Sequence, residues 1–305
     1  MTNPVVKVED FHKVYGNFIA VDGISFEVHS GEIFGLLGPN GAGKTSTLES
    51  LEGLRSPDSG IVQIMGIDPT RESRKIRNII GVQLQSSGLP GSMRVDEAMK
   101  FFSAYHRVAP RYDLLERIGL AEKMSTQYQM LSTGQQRRLT LALAIAHNPP
   151  VVFLDEPTAG LDVHSRVELH CLMDELRAAG TTIILATHDM AEAEKMADRI
   201  AILLSGKIVA SGTPRELTVT GAQCTKITVS TERSSLLNTR LQLPGVIEQV
   251  SKEEYIVYYS NDINLTVPAI ISYLVDQGDS LVDLRVERPS LEERFLEITK
   301  AGGAI

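Results

Sequence analysis

One glycine-rich motif restricts the fold of this chain more than any other feature of its sequence. An apolar run over residues 32–37 leads into Gly-Pro-Asn-Gly-Ala-Gly-Lys-Thr at residues 38–45, which matches GxxxxGK[ST]. The pattern joins a strand to a helix: its glycines let the backbone wrap closely, and the helix N-terminus favours an anion. We expect the loop amides to hold phosphates, Lys44 to reach the β- and γ-phosphates, and the Thr45 hydroxyl to bind Mg²⁺. A glycine-rich turn that binds nothing is the alternative, and the strand-loop-helix context disfavours it.

Composition indicates a globular chain with a substantial core. It has 305 residues, 43% of them apolar and 22% charged, with a net charge of −8. The acidic balance gives no indication of nucleic-acid binding, and we expect no nucleic-acid partner. Cys171 and Cys224 lack metal-binding spacing and are expected to be buried free thiols in a reducing compartment. The longest apolar runs, residues 139–146 and 200–204, are far shorter than the roughly 20 residues of a spanning helix. With no signal peptide in residues 1–10, the chain is expected to be soluble, so a membrane role requires a partner.

The order of predicted elements divides the chain into two domains. Up to residue 212 strands alternate with helices, which predicts an α/β fold with a largely parallel core sheet. The predicted strands are residues 5–8, 24–28, 32–37, 61–64, 79–84, 151–154, 182–186, 200–204 and 207–210; helices are expected from residue 44, over 95–128 and around 167–176.

The character of the sequence changes at Gly212-Thr213-Pro214. Beyond it we predict strands at 226–229, 246–250, 255–259 and 281–286, with helices at 234–241, 265–277 and 291–298. The order β-α-β-β-α-β is that of a ferredoxin-like fold. We therefore predict a nucleotide-binding domain over residues 1–217 and a small accessory α+β domain over residues 218–305.

A second motif supplies carboxylates. The apolar run 151–154 ends in Asp155-Glu156, which is the Walker B arrangement. Asp155 would hold Mg²⁺ and Glu156 would polarise the attacking water. Two acids that only end a strand before Pro157 are the alternative, and the phosphate loop upstream disfavours it.

Further motifs follow in a fixed order. Leu131-Ser132-Thr133-Gly134-Gln135 precedes a helix, Ala159-Gly160-Leu161-Asp162 follows the two acids, and His188 ends the next predicted strand. With the phosphate loop, they resemble those of the ATP-binding cassette (ABC) ATPases over roughly residues 5–217. The resemblance makes them the signature loop, the D-loop and the switch histidine. It also makes Gln85 the Q-loop glutamine and Tyr15 the aromatic that stacks on adenine.

The resemblance implies a P-loop ABC ATPase domain, with a mixed sheet core and a helical subdomain, that binds Mg²⁺ and ATP. The implied catalytic residues are Glu156, His188 and Gln85, and the implied metal ligands are Thr45, Gln85 and Asp155. The implied nucleotide-binding residues are Tyr15, Gly38, Pro39, Asn40, Gly41, Ala42, Gly43, Lys44, Thr45 and Ser46.

Because ABC ATPases sandwich ATP between two subunits, the resemblance also implies a second ATPase subunit. Residues Leu131 to Gln135 would then act on the partner's nucleotide, with Asp162 at the interface. Thr133 departs from the family, which usually has glycine there. Taken alone, His188 is an ordinary polar residue and Tyr15 an ordinary turn aromatic. His147, His164 and His170 are expected to be structural.

Three functions fit such an ATPase. The first is the energy-coupling subunit of a membrane transporter with a separate transmembrane permease. The second is a soluble ATPase acting on ribosome or DNA, and the third is a binding module with an inactive cassette. The intact Asp155-Glu156 pair disfavours the last. The soluble types usually carry two cassettes or long coiled-coil insertions, which are missing here. The sequence Pro289-Ser290-Leu291-Glu292-Glu293 and the apolar residues after it resemble the tail of ABC-2 exporter ATPases. An ordinary amphipathic helix capped by Ser290 and Glu293 is the alternative, and that local physics holds under either reading. The resemblance favours an exporter over an importer. The transporter reading places the chain peripherally on the cytoplasmic side of the membrane.

Overall fold

The computed structural model describes residues 4–84, 88–219, 225–237, 241–287 and 290–301. Contacts between residues divide the chain into two compact units, Met1–Thr213 and Pro214–Ile305. The predicted domain boundary at 217/218 stays a prediction. No helix in the described parts of the chain is long and apolar enough to cross a membrane.

The first unit alternates strands and helices. In chain order it contains β1 (Val6–Tyr15), β2 (Phe18–Val28), β3 (Ile33–Leu37), α1 (Lys44–Leu51), β4 (Ser59–Ile64), α2 (Ser73–Ile79), β5 (Ile80–Gln83), α3 (Val95–Tyr105), α4 (Tyr112–Arg117), α5 (Thr133–Ile145), β6 (Val151–Asp155), α6 (Val163–Ala178), β7 (Thr182–Thr187), α7 (Met190–Met196), β8 (Arg199–Leu204) and β9 (Lys207–Gly212).

A six-stranded sheet forms the centre of this unit, in the order β5-β6-β7-β3-β8-β9. Its first five strands are parallel and β9 is antiparallel. β3, β6 and β7 are buried at every position, as expected for strands covered on both faces. The predicted, largely parallel core sheet is therefore confirmed. The carboxyl ends of β3, β6 and β7 share one edge, where open α/β sheets bind ligands.

A second sheet, ordered β2-β1-β4 and antiparallel, packs its apolar side chains against the central sheet. β1 and β2 form one long hairpin in which Tyr15 pairs directly with Phe18 across the turn Gly16-Asn17. Gly16 has a φ of 60°, a left-handed conformation that costs glycine little. The sequence predicted only the short strands 5–8 and 24–28, so it missed this hairpin.

The predicted helix over residues 95–128 is wrong in its extent. The structure has α3, α4 and two single-turn 3₁₀ helices, Ala121–Lys123 and Tyr128–Met130. Arg107 has a φ of 58° and Gly119 a φ of 69°, and both left-handed residues end a helix. Pro110 also disfavours helical geometry at the preceding residue. These short helices, with α5, make up the expected helical subdomain.

The second unit contains α8 (Pro214–Val219), β10 (Thr225–Thr231), β11 (Val246–Ser251), β12 (Ile256–Ser260), α9 (Ile263–Asp276), β13 (Leu281–Glu287) and α10 (Leu291–Ala301). Its sheet is antiparallel, in the order β11-β12-β10-β13. Ile270 and Leu274 of α9 share a core with β10 and β12. This is an α+β sheet domain with ferredoxin-like strand order.

One helix predicted for the second unit is wrong where it can be assessed. Residues 234–237 form turns rather than a helix, and residues 238–240 lie outside the described chain. The Asp279 carboxylate accepts hydrogen bonds from the amides of Arg233 at 2.8 Å and Ser235 at 3.0 Å. Such side-chain bonds compete with helix formation, and Ser234 has a left-handed φ of 52°.

The capping box predicted for α10 is confirmed. The Glu293 amide donates to Ser290 Oγ at 3.2 Å, and the Ser290 amide donates to Glu293 Oε2 at 3.1 Å.

Candidate nucleotide-binding site

The phosphate loop connects β3 to α1 at the carboxyl edge of the central sheet. A Cβ atom on Gly38 would lie 2.4 Å from the Leu203 carbonyl oxygen, and one on Gly43 would lie 2.5 Å from that of Ala20. Gly43 also has a φ of 104°. Both positions therefore require glycine, because the backbone passes too close to its neighbours for any side chain.

Lys44 begins α1 and points back over the loop. Its Nζ donates to the carbonyl oxygens of Gly38 at 2.7 Å and Pro39 at 3.2 Å, and lies 3.8 Å from Glu156 Oε1. The side chain is 6% exposed. Burial lowers the pKa of Lys44, while the charges of Glu156 and Asp155 oppose that shift. The loop thus presents one buried cation beside a helix N-terminus, an arrangement suited to a polyphosphate.

Asp155, the last residue of β6, faces the start of α1. The Thr45 hydroxyl donates to Asp155 Oδ2 at 3.3 Å. Burial raises the pKa of Asp155, and the charge of Glu156 raises it further. A hydroxyl and a carboxylate side by side are the hard oxygen ligands that Mg²⁺ prefers, and Mg²⁺ usually takes few protein ligands together with substrate phosphates. The described residues contain no cluster of three or more His, Cys, Asp or Glu side chains that could hold a metal.

Glu156 and His188 meet at the same edge. His188 Nδ1 lies 2.8 Å from Glu156 Oε1, within hydrogen-bond distance, and the Glu156 amide donates to the Ala186 carbonyl at 2.9 Å. Glu156 has a φ of 50°. A non-glycine residue in this conformation is strained, and such strain is concentrated at functional sites. The buried carboxylate thus contacts His188 and lies next to Lys44.

One cavity of about 150 Å³ joins these groups. It is lined by Tyr15, Phe18, Ala20, Asn40, Gly41, Gly43, Lys44, Thr45, Ser46, Asp155 and Glu156. The structure therefore brings the phosphate loop, both acids and Tyr15 together, and the 2.8 Å contact places His188 beside them. Phe18 and Ala20 were missed by the sequence reasoning; the Gly16-Asn17 hairpin signal could have indicated Phe18.

The signature loop and the D-loop lie apart from this cavity. None of Leu131, Ser132, Thr133, Gly134, Gln135 or Asp162, all of them described, is among its lining residues. Ser132 Oγ accepts from the Gln135 amide at 3.2 Å, and Gln135 Oε1 accepts from the Ser132 amide at 3.0 Å, which caps α5. Asp162 caps α6 by accepting from the Ser165 amide at 2.9 Å, and this bond lowers the pKa of Asp162.

The remaining predictions fall on Gln85 and three histidines. Gln85 lies outside the described residues, so its role stays a prediction. His147 Nε2 lies 3.1 Å from the Ile80 carbonyl oxygen and His164 Nδ1 lies 3.8 Å from Glu168. His170 Nε2 lies 3.3 Å from Glu192 in a buried pair that joins α6 to α7. All three have structural partners. Cys171, in contrast, is exposed, so the prediction that it is buried is wrong, and Cys224 lies outside the described residues.

Comparisons with known proteins define the class of protein to which this chain belongs. The family profile described as ABC transporter matches residues 21–159. The chain is 35% identical to the Nod factor export ATP-binding protein I of Ralstonia nicotianae, over 98% of this chain and 94% of that protein. It is 32% identical to the daunorubicin resistance ATP-binding protein DrrA3 of Streptomyces coeruleorubidus, over 98% and 97%.

Solved structures agree with this class. One described as the ATP-binding subunit of an ABC transporter superposes with a TM-score of 0.66 at 26% identity, covering 70% of this chain and 91% of that one. A dimeric ATP-binding cassette bound to ADP and phosphate gives 0.63 at 28% identity, covering 68% and 98%. The chain belongs to the ATP-binding proteins of ABC transporters and is an ATPase. These relatives give no support to a soluble ATPase of ribosome or DNA.

A carboxyl that the sequence did not indicate lies behind the site. Glu52 directly follows α1, is 7% exposed and has a buried Oε2 atom without a hydrogen-bond partner in the described structure. Burial raises its pKa from 4.5 to about 8, and the charges of Asp155 and Glu49 add to that shift.

We predict that Lys44→Ala weakens ATP binding itself, by tenfold or more, because charge-assisted contacts to phosphate are lost. Direct titration of the purified protein with ATP measures this. An unchanged affinity would count against the phosphate-loop assignment.

We predict a pH-dependent effect of Glu52→Gln on stability. Folding raises the pKa of this carboxyl from 4.5 to about 8, so it favours the protonated form. The free energy of unfolding of the wild type should therefore fall as the pH rises from 4.5 to about 8. The variant has no carboxyl at this position, so its free energy of unfolding should not fall in this way. The difference in free energy of unfolding, variant minus wild type, should grow by up to about 1.4 kcal/mol per pH unit across that window. Urea unfolding in Mg²⁺-free buffer measures it. Glu116→Gln, an exposed carboxyl on α4, is the control, and parallel curves for wild type and Glu52→Gln would contradict the burial argument.

Proposed function

We propose that this chain hydrolyses Mg-ATP as one of two ATPase subunits and drives export through a separate transmembrane permease. One observation supports the proposal of two subunits. Residues 131–135 and Asp162 take part in helix caps and are not among the residues that line the chain's own nucleotide cavity. A signature loop in that position would serve a nucleotide bound to a second copy. The similarity to a dimeric cassette bound to ADP and phosphate supports the same arrangement.

The residues around the cavity would each have a separate role in binding Mg-ATP. The amides of the phosphate loop and Lys44 would bind the β- and γ-phosphates, and Thr45 and Asp155 would hold Mg²⁺, which neutralises phosphate charge when bound. Tyr15 and Phe18, paired across the hairpin turn, would flank the base. Tyr15 would stack on adenine, which suits an aromatic face.

Glu156 is the proposed general base. Its carboxylate would accept a hydrogen bond from the attacking water, and its bond to His188 Nδ1 would keep it oriented toward the γ-phosphate. The other ring nitrogen, Nε2, would face the γ-phosphate, and it can donate to a phosphate oxygen only when it carries a hydrogen. Gln85 and the partner's signature loop, including Thr133, would complete the site.

Coupling to a permease follows from the family and not from the cavity itself. The γ-phosphate supplies contacts across the subunit interface that ADP lacks, so closure would depend on ATP and opening on hydrolysis. The surface formed by the end of β5 and by α3 would receive a cytoplasmic segment of the permease. The protein would then lie peripherally on the cytoplasmic side of the membrane.

Export is favoured over import by the relatives. Two proteins that align over nearly the whole chain are named for Nod factor export and for daunorubicin resistance. The ABC-2-like tail agrees with this direction. The cargo would be chosen by the permease, so the ATPase residues carry no information on it.

We predict that Glu156→Gln abolishes turnover while ATP binding is kept, because the base is lost but the phosphate contacts remain. The expected product is a stable dimer in the presence of ATP, measured by size-exclusion chromatography with light scattering. Wild-type-like steady-state hydrolysis by this variant would refute the role given to Glu156.

The proposed interaction with a transmembrane permease can be tested by purification from the native host. The tagged chain is purified from membranes in mild detergent, and the co-purifying proteins are identified by mass spectrometry. Recovery of a polytopic membrane protein of about six spans, each of about 20 residues, is the expected result. Recovery of ribosomes or only soluble proteins would contradict the transporter proposal while leaving the ATPase assignment intact.

A further inference from the structure

A second and larger cavity lies on the first unit, behind the nucleotide site. Its volume is about 400 Å³, and its walls come from the ends of α1 and β5 and from α3 and α5. No residue is shared with the lining of the nucleotide cavity. We refer to it as the groove, and its polar floor consists of Glu52, Gln83 and His147.

Three buried polar atoms on this floor have no hydrogen-bond partner within the described chain: Glu52 Oε2, Gln83 Oε1 and His147 Nδ1. Gln83 is 1% exposed and Glu52 is 7% exposed. Leaving such groups unpaired costs about 1–3 kcal/mol each. Native proteins contain few of them, so three in the lining of one cavity favour binding of a group that donates hydrogen bonds to them.

All three atoms can accept hydrogen bonds. The donor group of Gln83, Nε2, already donates to the Arg137 carbonyl at 3.3 Å. His147 Nε2 lies 3.1 Å from the Ile80 carbonyl oxygen, so it carries the hydrogen and Nδ1 keeps its lone pair. Burial lowers the pKa of His147 to about 4, which keeps the ring neutral. An occupant that donates several hydrogen bonds would satisfy all three atoms, and a positive charge on it would favour the ionised form of Glu52.

The wall above this floor is aromatic. Phe102, Tyr105 and His106 of the α3 region line it, and the His106 ring stacks on His147 with centroids 3.7 Å apart and planes within 5°. The one arginine in the lining, Arg77, is exposed and donates through Nε to the Ser73 carbonyl at 3.1 Å. It makes no ion pair with Glu52 among the described residues.

A guanidinium group is complementary both to the polar floor of the groove and to its aromatic wall. It is planar, carries five donors in a fixed fork, and stacks on aromatic faces, whereas an ammonium is a compact point charge. A carboxyl without a cation partner, beside neutral acceptors and under an aromatic wall, is complementary in charge and shape to arginine.

We propose that the groove is an arginine socket, which receives an arginine side chain from a cytoplasmic segment of the membrane partner. Glu52, Gln83 and His147 accept its hydrogen bonds, and Glu52 sets the preference for a cation. The identity of the partner rests on the proposed transporter function, while the socket itself rests on the groove.

The position of the socket gives it a route to the nucleotide site. Glu52 directly follows α1, the helix that begins at Lys44. Gln83 pairs in register with Leu154, the residue before Asp155. An arginine bound to both would contact the far end of the phosphate-loop helix and the strand beside the one that carries the acids. The socket thus specifies the partner and positions these two elements.

The first test uses a small probe on the full-length protein. N-acetyl-arginine methylamide and its neutral citrulline analogue are titrated against histidine-labelled protein, and the ring signals of His147 are followed by NMR. The wild type should bind the arginine probe about tenfold or more tightly than the citrulline probe, since hydrogen bonds to charged groups are the stronger ones.

Glu52→Gln should lose this preference, whereas Glu116→Gln should keep it. Thermal unfolding of each variant verifies the fold. Equal responses to both probes in the wild type, no response of His147 up to the solubility limit, or an undiminished preference in Glu52→Gln would each overturn the socket.

The second test is a double-mutant cycle on the complex with the membrane protein recovered from the host. Glu52→Gln, and arginine-to-glutamine in the cytoplasmic segment of that protein, should each weaken the complex about tenfold, and together no more than either alone. Additive effects would overturn the pairing.

The two proposals fail separately. A preference for the arginine probe without any membrane partner would sink the transporter proposal alone. A recovered permease that is insensitive to Glu52→Gln would sink the socket alone.

Discussion

The site depends on one buried cation between backbone carbonyls and a carboxylate. Lys44 is held over its own loop by the carbonyls of Gly38 and Pro39, with Glu156 3.8 Å away. A buried charge is tolerated only when it is paired and hydrogen-bonded, so the loop, the lysine and the acid form one unit. The parallel register of β3, β7 and β6 brings the three parts to one edge. The glycines that let the backbone close around Lys44 are needed for the same reason.

The same edge explains why one chain is not a complete enzyme. The phosphate loop, Asp155, Glu156 and Tyr15 surround one cavity, whereas the signature loop caps α5 outside it. In our account a second copy supplies the missing surface, and ATP joins the two. The arginine socket on the other side of α1 would place the membrane partner at the opposite end of the helix that holds the phosphates. Nucleotide and partner would then act on the same two elements of the fold.

Features set by local sequence were predictable. The phosphate loop, the buried runs of β3, β6 and β7, the acids at the end of β6 and the cap of α10 all follow from short patterns with a direct physical cause. Features that depend on distant residues were not. Asp279 holds the amides of residues 233 and 235 and so prevents a helix that local propensity favours. Two left-handed residues, Arg107 and Gly119, divide a region predicted as one helix.

The sequence reasoning also missed two residues that the structure brings into play. Phe18 enters the nucleotide cavity only because the hairpin places it opposite Tyr15. Glu52 stands out only once its burial and its unpaired oxygen are known. Both are three-dimensional properties of ordinary residues. The roles of Gln85, outside the described chain, and of Thr133 stay predictions that rest on the family resemblance.

The most direct measurement of the composite site is subunit mixing. Lys44→Ala removes nucleotide binding from its own cavity but keeps an intact signature loop, whereas Ser132→Arg keeps the cavity and blocks the signature loop. Each variant is purified alone and should be nearly inactive, and the two are then mixed and assayed for ATP hydrolysis. If the site is shared, the mixed dimer contains one intact site, and the activity of the mixture must clearly exceed the sum of the two parts. An activity equal to that sum, under conditions where mixed dimers form, would show that each chain acts on its own ATP and would contradict the account.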